Sequence, residues 1–301
     1  MTAKTNHDFP IKCVDVSSYQ GSINWSAVKA AGIEHAILKI IRKDLSPDTG
    51  FELNWQNCHL ADITVSGVYN YSYAATVQKA QTDAARVLSV LDGRKAAVWL
   101  DIEDKCQQGL GALLKDIINA YGDIIHSSGC PFGVYTGMSF YNTYLRPYAS
   151  QIICDNWWIA RYYKGYSRMT PSLKPNEQYN PKHSIGRNTI HAWQYTSSGQ
   201  VPGIYSSVDL NLIYGDIIPS SPSFAENEGI TGGSSLNAIG RVSGCCKLNM
   251  RKAPKVEAGN IIQVLNAADQ VCLLHETGSW YLIKTLDNQI GYVSKKYITK
   301  L

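Results

Sequence analysis

Phenylalanine is scarce in this chain, at 5 of 301 residues, and methionine scarcer still at 4. Aromatic character comes instead from 19 Tyr and 7 Trp, rings with an apolar face and a polar tip. Such rings suit half-wet clefts where a ligand stacks, and they are also good strand residues. No apolar run approaches the roughly 20 residues of a membrane-spanning helix, so membrane insertion is not expected. Basic runs are missing as well. The 28 Lys and Arg and 24 Asp and Glu are dispersed and leave a net charge of +4, which excludes the clustered patch of a nucleic-acid binder. A mildly basic surface suits adsorption to an anionic polymer. Met1 to Asp8 has no apolar core of a signal peptide, so synthesis in a reducing cytoplasm is expected.

Metal-ligand spacing is also lacking. The cysteines Cys13, Cys58, Cys106, Cys130, Cys154, Cys245, Cys246 and Cys272 form no C-x-x-C, and the adjacent pair Cys245-Cys246 is a poor ligand unit. Apolar surroundings favour buried, reduced thiols. The His residues form no ligand pattern, and His191, at the start of a strand, is expected to be structural. Ser17 and Ser18 lack a G-x-S-x-G elbow and are expected in a turn. No metal or cofactor is called for.

What is present is an alternation of strands and helices. Strands are expected at Ile11 to Val16, Ala36 to Ile41, Val65 to Tyr73, Ala96 to Glu103, Phe132 to Thr136, Trp157 to Tyr162 and His191 to Tyr195. Helices fall between them, one capped by Asn24 and others closed by Gly93 and Gly129. This order predicts a parallel sheet closed into an irregular, TIM-like β/α barrel.

The acidic strand Ala96-Ala97-Val98-Trp99-Leu100-Asp101-Ile102-Glu103 is the centre of the pattern. Alternation puts Asp101 and Glu103 on one face, about 6–7 Å apart. Desolvation and mutual repulsion raise at least one pKa in such a pair, which suits a general acid; a structural ion-pair network is the plainer alternative. Asp15 at the end of the first strand, Asp209 after the last, and the Tyr69 to Tyr73 stripe join it at one rim. Acids and rings converging on one rim suit a carbohydrate-cleaving cleft.

Five blocks carry a resemblance: Asp15-Val16-Ser17-Ser18-Tyr19-Gln20-Gly21, Gly67-Val68-Tyr69-Asn70-Tyr71, Asp101-Ile102-Glu103, Trp158-Ile159-Ala160-Arg161-Tyr162, and Trp193-Gln194-Tyr195 through Val208-Asp209-Leu210-Asn211. In this order they resemble the glycoside hydrolase family 25 muramidases, the Chalaropsis-type lysozymes of phage endolysins and bacterial autolysins. The resemblance implies a flattened β/α barrel that cuts the β-1,4 bond between N-acetylmuramic acid and N-acetylglucosamine in bacterial peptidoglycan. It makes Glu103 the general acid, Asp101 its partner, and Asp15 and Asp209 supporting carboxylates. Retention, inversion and substrate assistance by the 2-acetamido group stay open, the last being favoured with Asp101 or Asp209 steering it. Tyr71 and Tyr73 are candidate sugar contacts or cross-strand packing residues; Trp158, Tyr162 and Trp193 are subsite candidates with the same ambiguity.

Residues 1–217 thus form the catalytic domain, the Pro-, Ser- and Gly-rich 218–240 a linker, and 241–301 a small all-β unit. Leu248 to Pro254, Gly278 to Ile283 and Gly291 to Ser294 resemble bacterial SH3 (SH3b) modules, which implies an SH3-like barrel that binds cell wall. Trp280 and Tyr292 are candidate wall contacts; Tyr281 is expected in the core. The pairing favours a phage or prophage endolysin, made in the host cytoplasm and acting on the wall after release. An autolysin, a non-catalytic wall-binding protein, and an amidase or endopeptidase are the rivals.

Overall fold

The computed structural model describes residues 10–165, 167–185, 190–215, 234–257, 259–285 and 289–300, with the side chains of 234–238 and 275 excluded. It divides into two compact units, Met1–Ser221 and Pro222–Leu301.

In the first unit, eight strands close into a barrel in sequence order: β1 (Ile11–Val16), β2 (His35–Lys39), β3 (Thr64–Tyr71), β4 (Ala97–Asp101), β5 (Phe132–Gly137), β6 (Asn156–Ala160), β7 (Ile190–Gly199) and β8 (Val208–Ile213). Four helices cover the crossovers between β1 and β5: α1 (Trp25–Ala30), α2 (Phe51–Leu60), α3 (Val77–Leu91) and α4 (Ala112–Ser127). Local chemistry sets their ends. The Asn24 Oδ1 accepts from the Ala27 backbone N–H at 3.1 Å to open α1, and Thr76 Oγ1 accepts from Lys79 N at 3.2 Å to open α3. The left-handed residue closing α3 is Asp92, one place before the Gly93 expected from the sequence.

β1 to β7 run parallel, but β8 is antiparallel to both β7 and β1. The reversed β8 departs from the expected parallel order, within the irregular β/α barrel that the sequence predicts. The segment 200–207 is too short for a crossover helix, so the chain turns back beside β7.

Apolar residues on the outer barrel face, such as Val14, Val98 and Val134, pack under the helices, while a second cluster fills the interior. There Trp158 meets Tyr135 edge to face with centroids 4.4 Å apart, and Trp99 in the same way at 5.8 Å. Gly133 on β5 makes room for Trp99: a Cβ there would stand 2.2 Å from the indole. All eight cysteines are free thiols; Cys13, Cys58 and Cys130 are buried, whereas Cys106 and Cys246 are exposed. Among the described residues no helix is long and apolar enough to cross a membrane.

The second unit is all β. Its strands β9 (Ser234–Val242), β10 (Lys247–Arg251), β11 (Ile261–Asn266), β12 (Gln270–Thr277), β13 (Trp280–Lys284), β14 (Ile290–Ser294) and β15 (Ile298–Lys300) form one sheet in the order β11-β10-β14-β13-β12-β9-β15. Met250, Leu273, Ile283 and Val293 are fully buried in its core. Of the segment expected as a linker, 218–233 lies outside the described residues, and from Ser234 onward it is strand β9. Ladder pairing with β12 recruits those residues despite their polar start.

Candidate active site

The C-terminal ends of the parallel strands form one mouth of the barrel. Asp15 lies near the end of β1, Asp101 ends β4, and Glu103 follows two residues later on the same inward row. Asp209 arrives by a different route. It lies near the start of β8, and only because β8 is antiparallel does it stand opposite Asp15 as its register partner. All four sequence-predicted acids are therefore brought to one mouth.

Their environments differ. Asp15 is 4% exposed, and its Oδ2 accepts from Asn211 Nδ2 at 2.7 Å and Gln194 Nε2 at 3.0 Å. Burial raises its pKa, while those bonds and one from Asp209 oppose the rise. Burial and the neighbouring Asp15 push Asp209 to about 9. A hydrogen bond links the two carboxyls, and burial makes the pair hold its protons above the ordinary carboxylate range. Asp101 is 5% exposed, and its Oδ1 has no hydrogen-bond partner among the described residues. Burial first, then the charges of Glu103 and Asp15, raise it well above the usual range, with Lys39 in partial opposition. Glu103 is half-buried; desolvation, Asp15 and Asp104 hold its carboxyl above the ordinary value. A carboxyl of raised pKa at an open mouth can deliver a proton, and the unpartnered oxygen beside it can accept a hydrogen bond.

A cleft of about 450 Å³ opens beside Asp15 and Asp209, with Tyr69, Ser17, Gln20 and Ser207 among its walls. Its polar lining of hydroxyls and an amide matches the edge of a sugar. On the β3–β4 side, Tyr71 donates from Oη to Asp104 Oδ2 at 3.2 Å and packs on Tyr73 at 4.9 Å; Lys43 sits 4.4 Å above the Tyr73 ring. Both rings are half-buried, and Tyr71 is the register partner of Asp101.

Tyr162 is also half-buried at the mouth, its Oη donating to Gln194 Oε1 at 2.6 Å, so it joins the Asp15 network. The other two subsite candidates are corrected to core residues. Trp158 is 1% exposed inside the barrel and donates from Nε1 to Asn211 at 2.8 Å. Trp193 is fully buried on the outer face, where Nε1 donates to the Arg161 carbonyl at 2.9 Å. Neither offers a face to a ligand. Gln194 and Asn211, which set the charge of Asp15, have no role in the sequence reading; their place in the same blocks as Trp193 and Asp209 is the signal that could have found them. His191 is buried against Trp99 at 5.7 Å. Among the described residues no group of three His, Cys, Asp or Glu side chains is set to hold a metal ion.

In the second unit Trp280 and Tyr292 are half-buried. Trp280 pairs with Ser294 and Leu282 with Tyr292, so the two rings are diagonal neighbours on one face of the sheet. Tyr281 is in the core, as expected.

The pattern of the glycosyl hydrolases family 25 matches residues 14–204, and that of the bacterial SH3 domain matches 247–299. The chain is 28% identical over 218 residues to the uncharacterized protein YegX of Escherichia coli O157:H7, covering 69% of this chain and 71% of that one. It is 27% identical over 224 residues to lysozyme M1 of Streptomyces globisporus, covering 68% of each. In fold it resembles the catalytic domain of the endolysin ply40 from bacteriophage P40 of Listeria monocytogenes, with a TM-score of 0.56 and 24% identity over 70% of this chain and 96% of that one. The family match spans most of the chain and contains the Asp15, Asp101 and Glu103 positions; the chain belongs to the glycosyl hydrolases of family 25 and is a lysozyme-type peptidoglycan hydrolase with a bacterial SH3 domain.

Proposed function

We propose that the protein cleaves the β-1,4 bond between N-acetylmuramic acid and N-acetylglucosamine. The observation that carries this is the pair Asp101 and Glu103 facing the hydrogen-bonded Asp15 and Asp209 across one mouth. Glu103, its pKa raised by burial and neighbouring acids, gives its proton to the glycosidic oxygen. Asp101, with an unpartnered Oδ1, receives the 2-acetamido N–H and steers its oxygen onto the anomeric carbon. Asp15, oriented by Asn211 and Gln194, lies opposite the developing oxocarbenium charge. Tyr71, Tyr73 and Tyr162 flank the sugar.

Trp280 and Tyr292 serve as wall contacts, so the SH3 unit raises the effective concentration of the cleft at an insoluble polymer. The likeness to a phage endolysin fold supports an endolysin made in the host cytoplasm and released onto the wall. The test is a digest of purified peptidoglycan, reduced with borohydride and read by mass spectrometry. Reduced ends on N-acetylmuramic acid are expected. Ends on N-acetylglucosamine overturn the bond assignment, and free stem peptides favour an amidase.

A further inference from the structure

Two tyrosines on this molecule do nothing for its fold. Tyr19 is 77% exposed and Tyr205 is 92% exposed, and neither side chain has a hydrogen bond or ring partner among the described residues. Tyr19 stands at the cleft as one of its walls, together with Asp15 and Asp209, and Tyr205 is two residues from Ser207, another of its walls.

The segments that carry them are held firmly and held to each other. Residues Ser18–Gln20 form a single 3-10 turn closed by a reciprocal capping box between Ser17 and Gln20. The buried Asp48 clamps this turn, accepting from Ser18 N at 2.9 Å and Ser18 Oγ at 2.8 Å. Tyr205 lies between β7 and β8, in the segment whose Ser207 carbonyl accepts from Gln20 Nε2 at 3.1 Å. The same segment approaches α1 at Gly203, whose carbonyl accepts from Asn24 N at 2.9 Å. Gly203 has φ +94, and a Cβ there would stand 2.4 Å from the Asn24 oxygen, so the junction admits no side chain. An exposed ring on rigid backbone loses little entropy when a ligand stacks on it.

We propose that Tyr19 and Tyr205 form an aromatic rail on the Asp15–Asp209 side of the cleft. It stacks a pyranose ring of the glycan strand beyond the sugars held at the acids, and so selects long strands over short ones. The inference rests on the muramidase reading for its ligand, and for its position on Tyr19 and Ser207 as cleft walls joined by the Gln20 bond. Stacking needs no sugar-specific hydrogen bond; the rail grips any residue of the repeating chain and aligns it with the acids.

The test uses the full chain carrying Glu103→Gln, so that glycan is bound without turnover, with and without Tyr19→Ala and Tyr205→Ala. The probes are peptide-free glycan oligomers, a disaccharide and an octasaccharide of the wall repeat, titrated by calorimetry. The rail predicts about tenfold weaker binding of the octasaccharide on loss of both rings, and less than about twofold for the disaccharide. Tyr205→Trp should restore the ring's share of the affinity, which a change in folding would not. Equal octasaccharide affinity with and without the rings overturns the rail, as does failure of the Glu103→Gln protein to bind any glycan. A wild-type chain that binds the octasaccharide through these rings but does not cut it leaves the rail standing and removes the muramidase assignment.

Discussion

The two ends of the barrel are built on the same strands and the same inward rows, yet they do opposite things with charge. At the mouth, burial pushes carboxyls up, as with Asp209 to about 9. At the base, His35 on β2 is bonded to Ser66 Oγ at 2.6 Å, and His191 is 4% exposed against Trp99. Burial, then the neighbouring His35, pushes His191 down to about 3. At both ends burial works against charge. The difference is access: the mouth opens into a cleft where a proton can be handed to substrate, whereas the base is closed by packing. A shifted pKa marks burial; an open path and an unpartnered acceptor mark chemistry.

The largest expected effect falls on the mouth alone. Glu103→Gln keeps the shape but removes the proton, so turnover on purified peptidoglycan should drop by about a thousandfold with no fall in Tm. Retained activity would break the comparison, because the mouth would then be as inert as the base.

Next comes the plug between the ends. Gly133→Ala drives a methyl into the Trp99 indole, which has no free space to yield. A loss of about 3 kcal/mol is expected, read by denaturant titration, together with reduced activity as β4 and its acids shift.

Asp209→Asn sharpens the pH side of the contrast. Folded Asp209 keeps its proton to about pH 9, while the unfolded carboxyl loses it near 4. Between those values the native state binds more protons, so this group makes stability fall as pH rises. Asn is uncharged throughout and still donates to Asp15. The variant should melt about 8 °C higher than wild type at pH 8 and show no difference at pH 4. An unchanged Tm at pH 8 would mean that Asp209 ionises freely.

How far these ends were legible in the sequence follows from what periodicity encodes. Asp15, Asp101 and Glu103 were readable because period-two alternation and strand ends place them without tertiary knowledge. Asp209 was readable as an acid of the site, but its position on a reversed strand was not, since direction depends on how β8 pairs. Trp158 and Trp193 misled because a barrel buries both faces of its strands, so alternation separates inside from outside and not covered from exposed. Gln194 and Asn211 are polar residues on buried strands, and only closure of the barrel brings them to Asp15. Tyr19 and Tyr205 sit in turns, where no period exists to point at them.

The smallest effect is expected at the base. His191 unfolded titrates near 6.5, whereas folded it stays neutral to about 3. Here the unfolded state binds the extra proton, so stability is full above pH 6.5 and falls as pH drops toward 3, the reverse of the Asp209 slope. The two ends thus press on stability from opposite sides and leave a maximum between them. His191→Phe keeps a ring against Trp99 and removes the titration. The variant should gain on the wild type by about 5 °C in Tm as pH falls from 6.5 to 5, with cleavage at pH 6 unchanged in both. Parallel acid limbs would show that the imidazole reaches solvent, and the base would then be an open end like the mouth.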